Sequence, residues 1–300
     1  MKVSATRSIA ILAAVMVTGL ASACGGSSSG GDNSTVTPQS SADQSLAALV
    51  PAAVKDDGVI KVGIDTTYAP NDFLKDDGKT AQGWDVDLFA AIAAKLGLKA
   101  EFVTAPFSTL LQAVQSGKYE IGVSSFTINP DREKQSLMVS YFNAGTQWAT
   151  QKGNPSGITP DNACGKKVAV QQGTVQVDDL MARSKACTKA GKPGLKIDQY
   201  AAQDAATTAV VSRKDDAMLA DSPICAYAVS KVGSELELLG DIYDAAPYGF
   251  VLPKDQTEFA KAIQGATQAA IDDGSYAAVL KKWGVDGGAI TTSETNPSVG

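Results

Sequence analysis

Histidine is missing from this chain of 300 residues, and that absence excludes more chemistry than any other feature. Ser-His-Asp and Cys-His catalysis, histidine-ligated zinc or iron, and imidazole pH switching are all ruled out. Cysteine is scarce, with four residues and no C-x-x-C pair. A thiolate metal site is therefore not expected, and no metal or cofactor is implied. Basic residues number 26 against 32 acidic ones, a formal charge of -6. A phosphate backbone needs a basic face, so nucleic acid is not expected as a partner. No apolar run reaches the ~20 residues that span a bilayer. The length permits one large domain or two of modest size.

The apolar stretch that does exist, Ile9 to Leu20, follows Lys2 and Arg7 and has the length of an export-signal core. It ends in Leu20-Ala21-Ser22-Ala23-Cys24. Small residues directly before a cysteine resemble a bacterial lipobox, although the large aliphatic residue sits one place further out than usual. The expectation is a signal peptide over 1–23 and a lipid on Cys24 that tethers the protein to the outer face of the cytoplasmic membrane. Residues 24–57 read as a flexible linker, rich in Ser, Gly, Thr and Asn from Gly25 to about Gln44. Outside the cytoplasm Cys164 and Cys187 can oxidise, closing a loop worth ~3 kcal/mol in the chain-entropy picture. Cys225, in an apolar setting, reads as an inert buried thiol.

From Gly58 onward, strands and helices alternate. Val59 to Asp65, Ala100 to Thr104 and Tyr119 to Ser125 read as strands. Between them lie a helix opened by Asp85 and Asp87, with Leu88, Phe89, Ile92 and Leu96 on one stripe, and a helix capped by Ser108. The β-α-β-α-β order implies a mostly parallel sheet covered on both faces. It repeats over 167–231, with a short strand at Leu236 to Leu239 and another at Pro247 to Pro253. Two similar units in series argue for two lobes. Two helices, Glu258 to Ile271 and Tyr276 to Trp283, can complete either one. The tail over 286–300 reads as loose.

The richest stretch is Gly122-Val123-Ser124-Ser125-Phe126-Thr127-Ile128-Asn129-Pro130-Asp131-Arg132. A strand runs into hydroxyl residues, and Asn129-Pro130 reads as a helix cap and first turn. Arg132 occupies a turn where the helix dipole favours an acid. It is either a surface residue paired with Asp131 or Glu133, or a partner for a planar anion such as a carboxylate. Open α/β sheets hold ligands beyond the carboxyl ends of their strands. Those ends carry Asp65 with Tyr68, Phe107, Ser124 to Thr127, Gln172 to Thr174, and Asp221. One Arg, two acids, aromatics and hydroxyls suit a small zwitterion.

Several ordered motifs give this inventory a family likeness. They are Ile64-Asp65-Thr66-Thr67-Tyr68-Ala69-Pro70, Gly83-Trp84-Asp85-Val86-Asp87-Leu88, the segment through Arg132, Val168 to Thr174, and Asp216 to Asp221. Tyr248-Gly249-Phe250-Val251 and Lys282-Trp283-Gly284 follow. Together they resemble the extracellular solute-binding proteins of polar amino-acid ABC importers over about residues 58–285. The resemblance implies an α/β fold of the periplasmic-binding-protein type, two lobes joined by two hinge strands with a ligand cleft between them. Lobe one would be 58–148 with 247–285, and lobe two 149–246. Arg132 would bind the ligand carboxylate, with Thr127 and Thr174 as added donors. Asp221 with Ser125 would take the ammonium. Tyr68 and Phe107 would stack on the side chain, Asp65 would meet its polar end, and Ser124 would be a further ligand-binding residue. Val175 departs from the second hydroxyl that many members carry. The implied partners are a free polar amino acid, cationic or amide, and an ABC permease, with the protein a monomer.

Two rival functions remain at this level. A small-carboxylate dehydratase on the same fold would need an acid or base aimed at a reacting carbon, and only Asp65, Asp72, Asp221 and Tyr68 could serve. An amino-acid-binding sensory protein would normally carry a membrane span and a cytoplasmic domain.

Overall fold

The computed structural model describes residues 42–299. The apolar N-terminal segment and Cys24 lie outside the described residues. Two short helices open the structure, α1 (Gln44–Ala48) and α2 (Ala52–Asp57). The linker expected over 24–57 is thus folded in its last part. Leu46, Leu49, Val50 and Val54 recur at helical spacing and pack into the core of lobe one. Asp43 caps α1 by accepting from the backbone N–H of Ser45 and Leu46.

Lobe one is built on β1 (Val59–Ile64). Next comes a small antiparallel sheet of β2 (Thr67–Tyr68), β3 (Asp72–Leu74) and β4 (Ala81–Gln82), then α3 (Trp84–Lys95) and β5 (Lys99–Thr104). α4 (Phe107–Gln115), β6 (Ile121–Thr127) and α5 (Pro130–Gln135) follow. β1 pairs in parallel with β5 and with β6, as the alternating pattern requires. Helix α4 begins at Phe107 after Pro106, so Ser108 is inside it rather than its cap. Tyr119 lies just before β6 and its ring covers Gly63; a Cβ there would stand 2.4 Å from the ring, which leaves glycine as the fitting residue.

β7 (Ser136–Gln151) is the first strand that crosses between lobes. Lobe two then adds β8 (Lys167–Gln171), α6 (Val175–Lys189), β9 (Lys196–Tyr200), α7 (Gln203–Val211), β10 (Ala217–Asp221) and α8 (Ser222–Lys231). The disulfide Cys164–Cys187 ties the approach to β8 to the last turns of α6. The return crossing is β11 (Leu236–Pro253), one long strand where the sequence suggests two short ones. Gly240 and Asp244 have positive φ, and the pairing with β7 shifts register around Tyr243. The turn-forming residues are a mid-strand irregularity, not a chain reversal. The eight strands run in the order β5-β1-β6-β11-β7-β10-β8-β9, so β11 and β7 stand side by side between the parallel sets.

Helices α9 (Thr257–Asp272) and α10 (Ser275–Trp283) complete lobe one. Phe259, Ile263, Ala266, Ala270, Tyr276 and Leu280 join its core. The C-terminal segment is docked, contrary to the loose tail expected. Ser293 Oγ donates to the Ser140 carbonyl at 2.7 Å, and Asn296 Oδ1 accepts from Met138 N–H at 2.7 Å. Its polar composition misleads because its side chains serve the backbone of β7 instead of water.

Candidate functional site

A small cavity of about 10 Å³, room for little more than one water molecule, lies between the lobes at the carboxyl ends of β1, β6, β8 and β10. All nine ligand-site candidates line it: Asp65, Tyr68, Phe107, Ser124, Ser125, Thr127, Arg132, Thr174 and Asp221. Gln171, Val175 and Gln176 join them.

Arg132 is delivered as the sequence pattern suggests. Asn129 Oδ1 caps α5 by accepting from Arg132 N–H at 2.9 Å, with Pro130 opening the helix. Asp131 pairs with Lys134 at 2.7 Å, so the surface pairing with Arg132 is not made. The guanidinium instead lies against the rings of Phe107 and Phe126, 5.5 and 5.8 Å from their centroids. Its Nη1 donates to the Thr127 carbonyl at 2.7 Å and its Nη2 to the Gly173 carbonyl of lobe two at 3.0 Å. Burial draws its pKa down to about 10, against the pull of Asp221 and Asp178.

Asp221 ends β10 at the cap position of α8, yet its side chain makes no capping bond. It accepts from Tyr68 Oη at 2.9 Å, Tyr248 Oη at 2.7 Å and Gln176 Nε2 at 2.7 Å. Burial raises its pKa, and these donors and Arg132 oppose the rise. Thr174 likewise makes no capping bond for α6; its Oγ1 donates to the Gln171 carbonyl at 2.9 Å. Asp65 accepts from Thr67 N–H and Oγ1, from Phe107 N–H, and from Gln171 Nε2 at 3.0 Å. Burial raises its pKa as well.

Behind this lining lie two more buried acids. Ser124 Oγ accepts from Asp65 N–H at 3.1 Å and donates to Asp72 at 2.5 Å. Ser125 donates its N–H and its hydroxyl to Asp85, both at 2.9 Å. Gly83 makes the second arrangement possible. Its φ of 135° and the Asn71 carbonyl, 2.0 Å from where a Cβ would sit, let the start of α3 press against β3. Burial foremost, then mutual repulsion, holds Asp72 well above the usual carboxylate range.

Bonds from Arg132 to Gly173, Gln171 to Asp65, and Tyr68 to Asp221 all cross between lobes, so the cleft is closed. Sequence reasoning takes Gln172 to Thr174, just past β8, as that strand's contribution and overlooks Gln171 and Gln176. Gln171 is itself the last residue of β8, so the strand-end rule could have found it. Gln176 sits inside the first turn of α6 and carries no such signal. Among the described residues no cluster of His, Cys, Asp or Glu could hold a metal ion, and no helix is long and apolar enough to cross a membrane.

Known proteins share both the sequence and the architecture. The arginine-binding protein ArgT of Corynebacterium glutamicum is 36% identical over 252 residues, 84% of this chain and 82% of ArgT. An ancestral arginine-binding protein bound to arginine superposes with a TM-score of 0.70 at 30% identity, covering 75% of this chain and 98% of that one. The ancestral amino acid-binding protein AncCDT-1, a precursor of cyclohexadienyl dehydratase, gives 0.66 at 31% identity over 77% of this chain and 97% of its own. The sequence profile of the bacterial extracellular solute-binding proteins, family 3, matches residues 60–286. A match of that extent, on the same two-lobed frame, makes this chain a member of the bacterial extracellular solute-binding proteins, family 3.

Proposed function

We propose that the protein captures a free polar amino acid between its lobes and presents the closed form to an ABC-type permease, and that L-arginine is the first ligand to try. One observation carries this reading: Arg132 on lobe one and Asp221 on lobe two line the same cavity and feel each other's charge. A zwitterion satisfies both only when the cleft is shut. The ligand then shifts the open-closed equilibrium by the contacts it gains on closure. In this reading Arg132 takes the carboxylate with Thr127 and Thr174, and Asp221 with Ser125 takes the ammonium. Tyr68 and Phe107 flank the side chain over the floor that Ser124 helps to form. Asp65 and Gln171 meet the far end. The acidic surroundings favour a cationic far end, in keeping with the relatives named for arginine.

The protein acts as a binder and not as an enzyme, works as a monomer, and is held at the membrane by a lipid on Cys24 after loss of residues 1–23. A thermal-shift screen against the common amino acids tests the central claim. A ligand at about 100 times its dissociation constant stabilises by ~2.7 kcal/mol. L-arginine should give the largest rise in melting temperature, and a flat response to every amino acid would defeat the proposal.

A further inference from the structure

Ser125 is the one residue of the cavity lining whose backbone lies in the left-handed region, with φ 51°. A residue other than glycine is strained there and must be held by its surroundings. Asp85 does much of the holding. Its Oδ2 takes both the N–H and the hydroxyl proton of Ser125, each at 2.9 Å. The Ser125 hydroxyl in turn accepts from Asn71 Nδ2 at 2.7 Å, and Asn71 is fixed by Trp84 Nε1 at 2.7 Å. With its proton committed to Asp85 and one lone pair to Asn71, that hydroxyl keeps a lone pair and has no proton to offer. Such an oxygen suits an ammonium group and repels a carboxylate. Asp85 Oδ1, meanwhile, is buried without a partner, as is Oδ1 of Asp72. A buried carboxylate left half unpaired is unfavourable and calls for a compensating cation.

We propose that Asp85 is a positioning residue for the ligand's ammonium group: it fixes the strained Ser125 turn and the direction of its hydroxyl, and its charge is balanced when the cation arrives. This rests on the amino-acid reading given above. The charged and titratable groups around Asp85 are consistent with it. Asp72 on β3, Asp65 just beyond β1 and Asp221 at the end of β10 are acids, and Tyr141 on β7 lies beside it, its hydroxyl accepting from Ser125 N–H at 3.2 Å. On α3 itself, Asp87 is engaged by Lys282 and Trp283. Arg132 is the one cationic side chain lining the cavity among the described residues. Burial pushes the Asp85 carboxyl up to about 7, so near neutral pH a fraction of molecules carries a proton there. An incoming ammonium favours the ionised form and expels that proton to solvent. Affinity for an amino acid should therefore tighten as pH rises from 6 to 8.

The test is calorimetric titration of L-arginine into the whole protein and into Asp85→Asn, in buffers of differing ionisation enthalpy at pH 6, 7 and 8. Asparagine keeps the shape and one acceptor oxygen but cannot ionise. The unaltered protein should release a fraction of a proton per ligand at pH 7. Asp85→Asn should release less and bind about tenfold more weakly or worse. The analogue 5-guanidinopentanoate, which lacks the α-amino group, should bind both proteins alike. Equal proton release and equal arginine affinity in the two proteins would overturn the inference. So would an equal loss for arginine and its analogue, the mark of a merely structural role. If Asp85→Asn does not fold, Ser125→Ala decides: removal of the hydroxyl that Asp85 directs should weaken L-arginine more than 5-guanidinopentanoate, and an equal effect on the two sinks the idea. Absence of L-arginine binding by the unaltered protein would instead overturn the ligand reading, and this inference with it.

Discussion

Two carboxylates reach the cavity from opposite lobes, and they are secured in opposite ways. Asp65 of lobe one takes the Thr67 N–H, the Thr67 hydroxyl and the Phe107 N–H from its own lobe, and Gln171 alone from the other. Asp221 of lobe two takes Gln176 from its own lobe, but its other two donors are Tyr68 on β2 and Tyr248 on β11 where that strand pairs with β6. Parting of the lobes would therefore leave Asp65 three of its four donors. Opening would strip Asp221 of those two donors, and closure would restore them. Lobe one presents a finished floor, whereas the lobe-two anion is completed by shutting the cleft.

Substitutions on either side can break or sharpen this contrast. The largest effect belongs to Arg132→Ala on the finished side. It should weaken amino-acid binding by ~2–5 kcal/mol, because a desolvated carboxylate loses its partner. Calorimetry giving an unchanged affinity would remove Arg132 from the site. Next comes Asp221→Asn, which should lose ~1.5–3 kcal/mol of binding, the range for hydrogen bonds to a charged group. If the loss were no greater for the amino acid than for an analogue without its α-amino group, Asp221 would not be the ammonium partner. The smallest is Tyr68→Phe, about 0.5–1.5 kcal/mol in affinity. It should also shift the unliganded protein toward the open form, seen as a larger radius of gyration in small-angle X-ray scattering. A variant as compact as the parent would mean that this tyrosine does not couple Asp221 to closure.

Much of this arrangement is legible along the chain. Alternating strands and amphipathic helices, together with the strand-end rule, bring out nine of the twelve residues that line the cavity. Asn129-Pro130 announces the cap that aims Arg132. Other parts resist such reading. Residues 44–57 hide a helical apolar stripe beside a polar stretch, and the last residues conceal their docking behind hydroxyl and amide side chains. β11 looks like two strands because Gly240 and its neighbours carry the residues of a turn. Helices α9 and α10 have clear apolar stripes, but a stripe states that a face is buried and not which lobe buries it.

The sequence alone determined the class of fold and the chemical inventory of the cleft, because helical periodicity, caps and strand ends are set by residues a few positions apart. Tertiary structure decided how that inventory is wired. The Asp85 carboxylate lies beneath Ser125 from 40 positions away, and Tyr68 reaches Asp221 across 153. No local propensity encodes such pairings. They exist because burying these polar groups is tolerable only where the fold brings each one a partner.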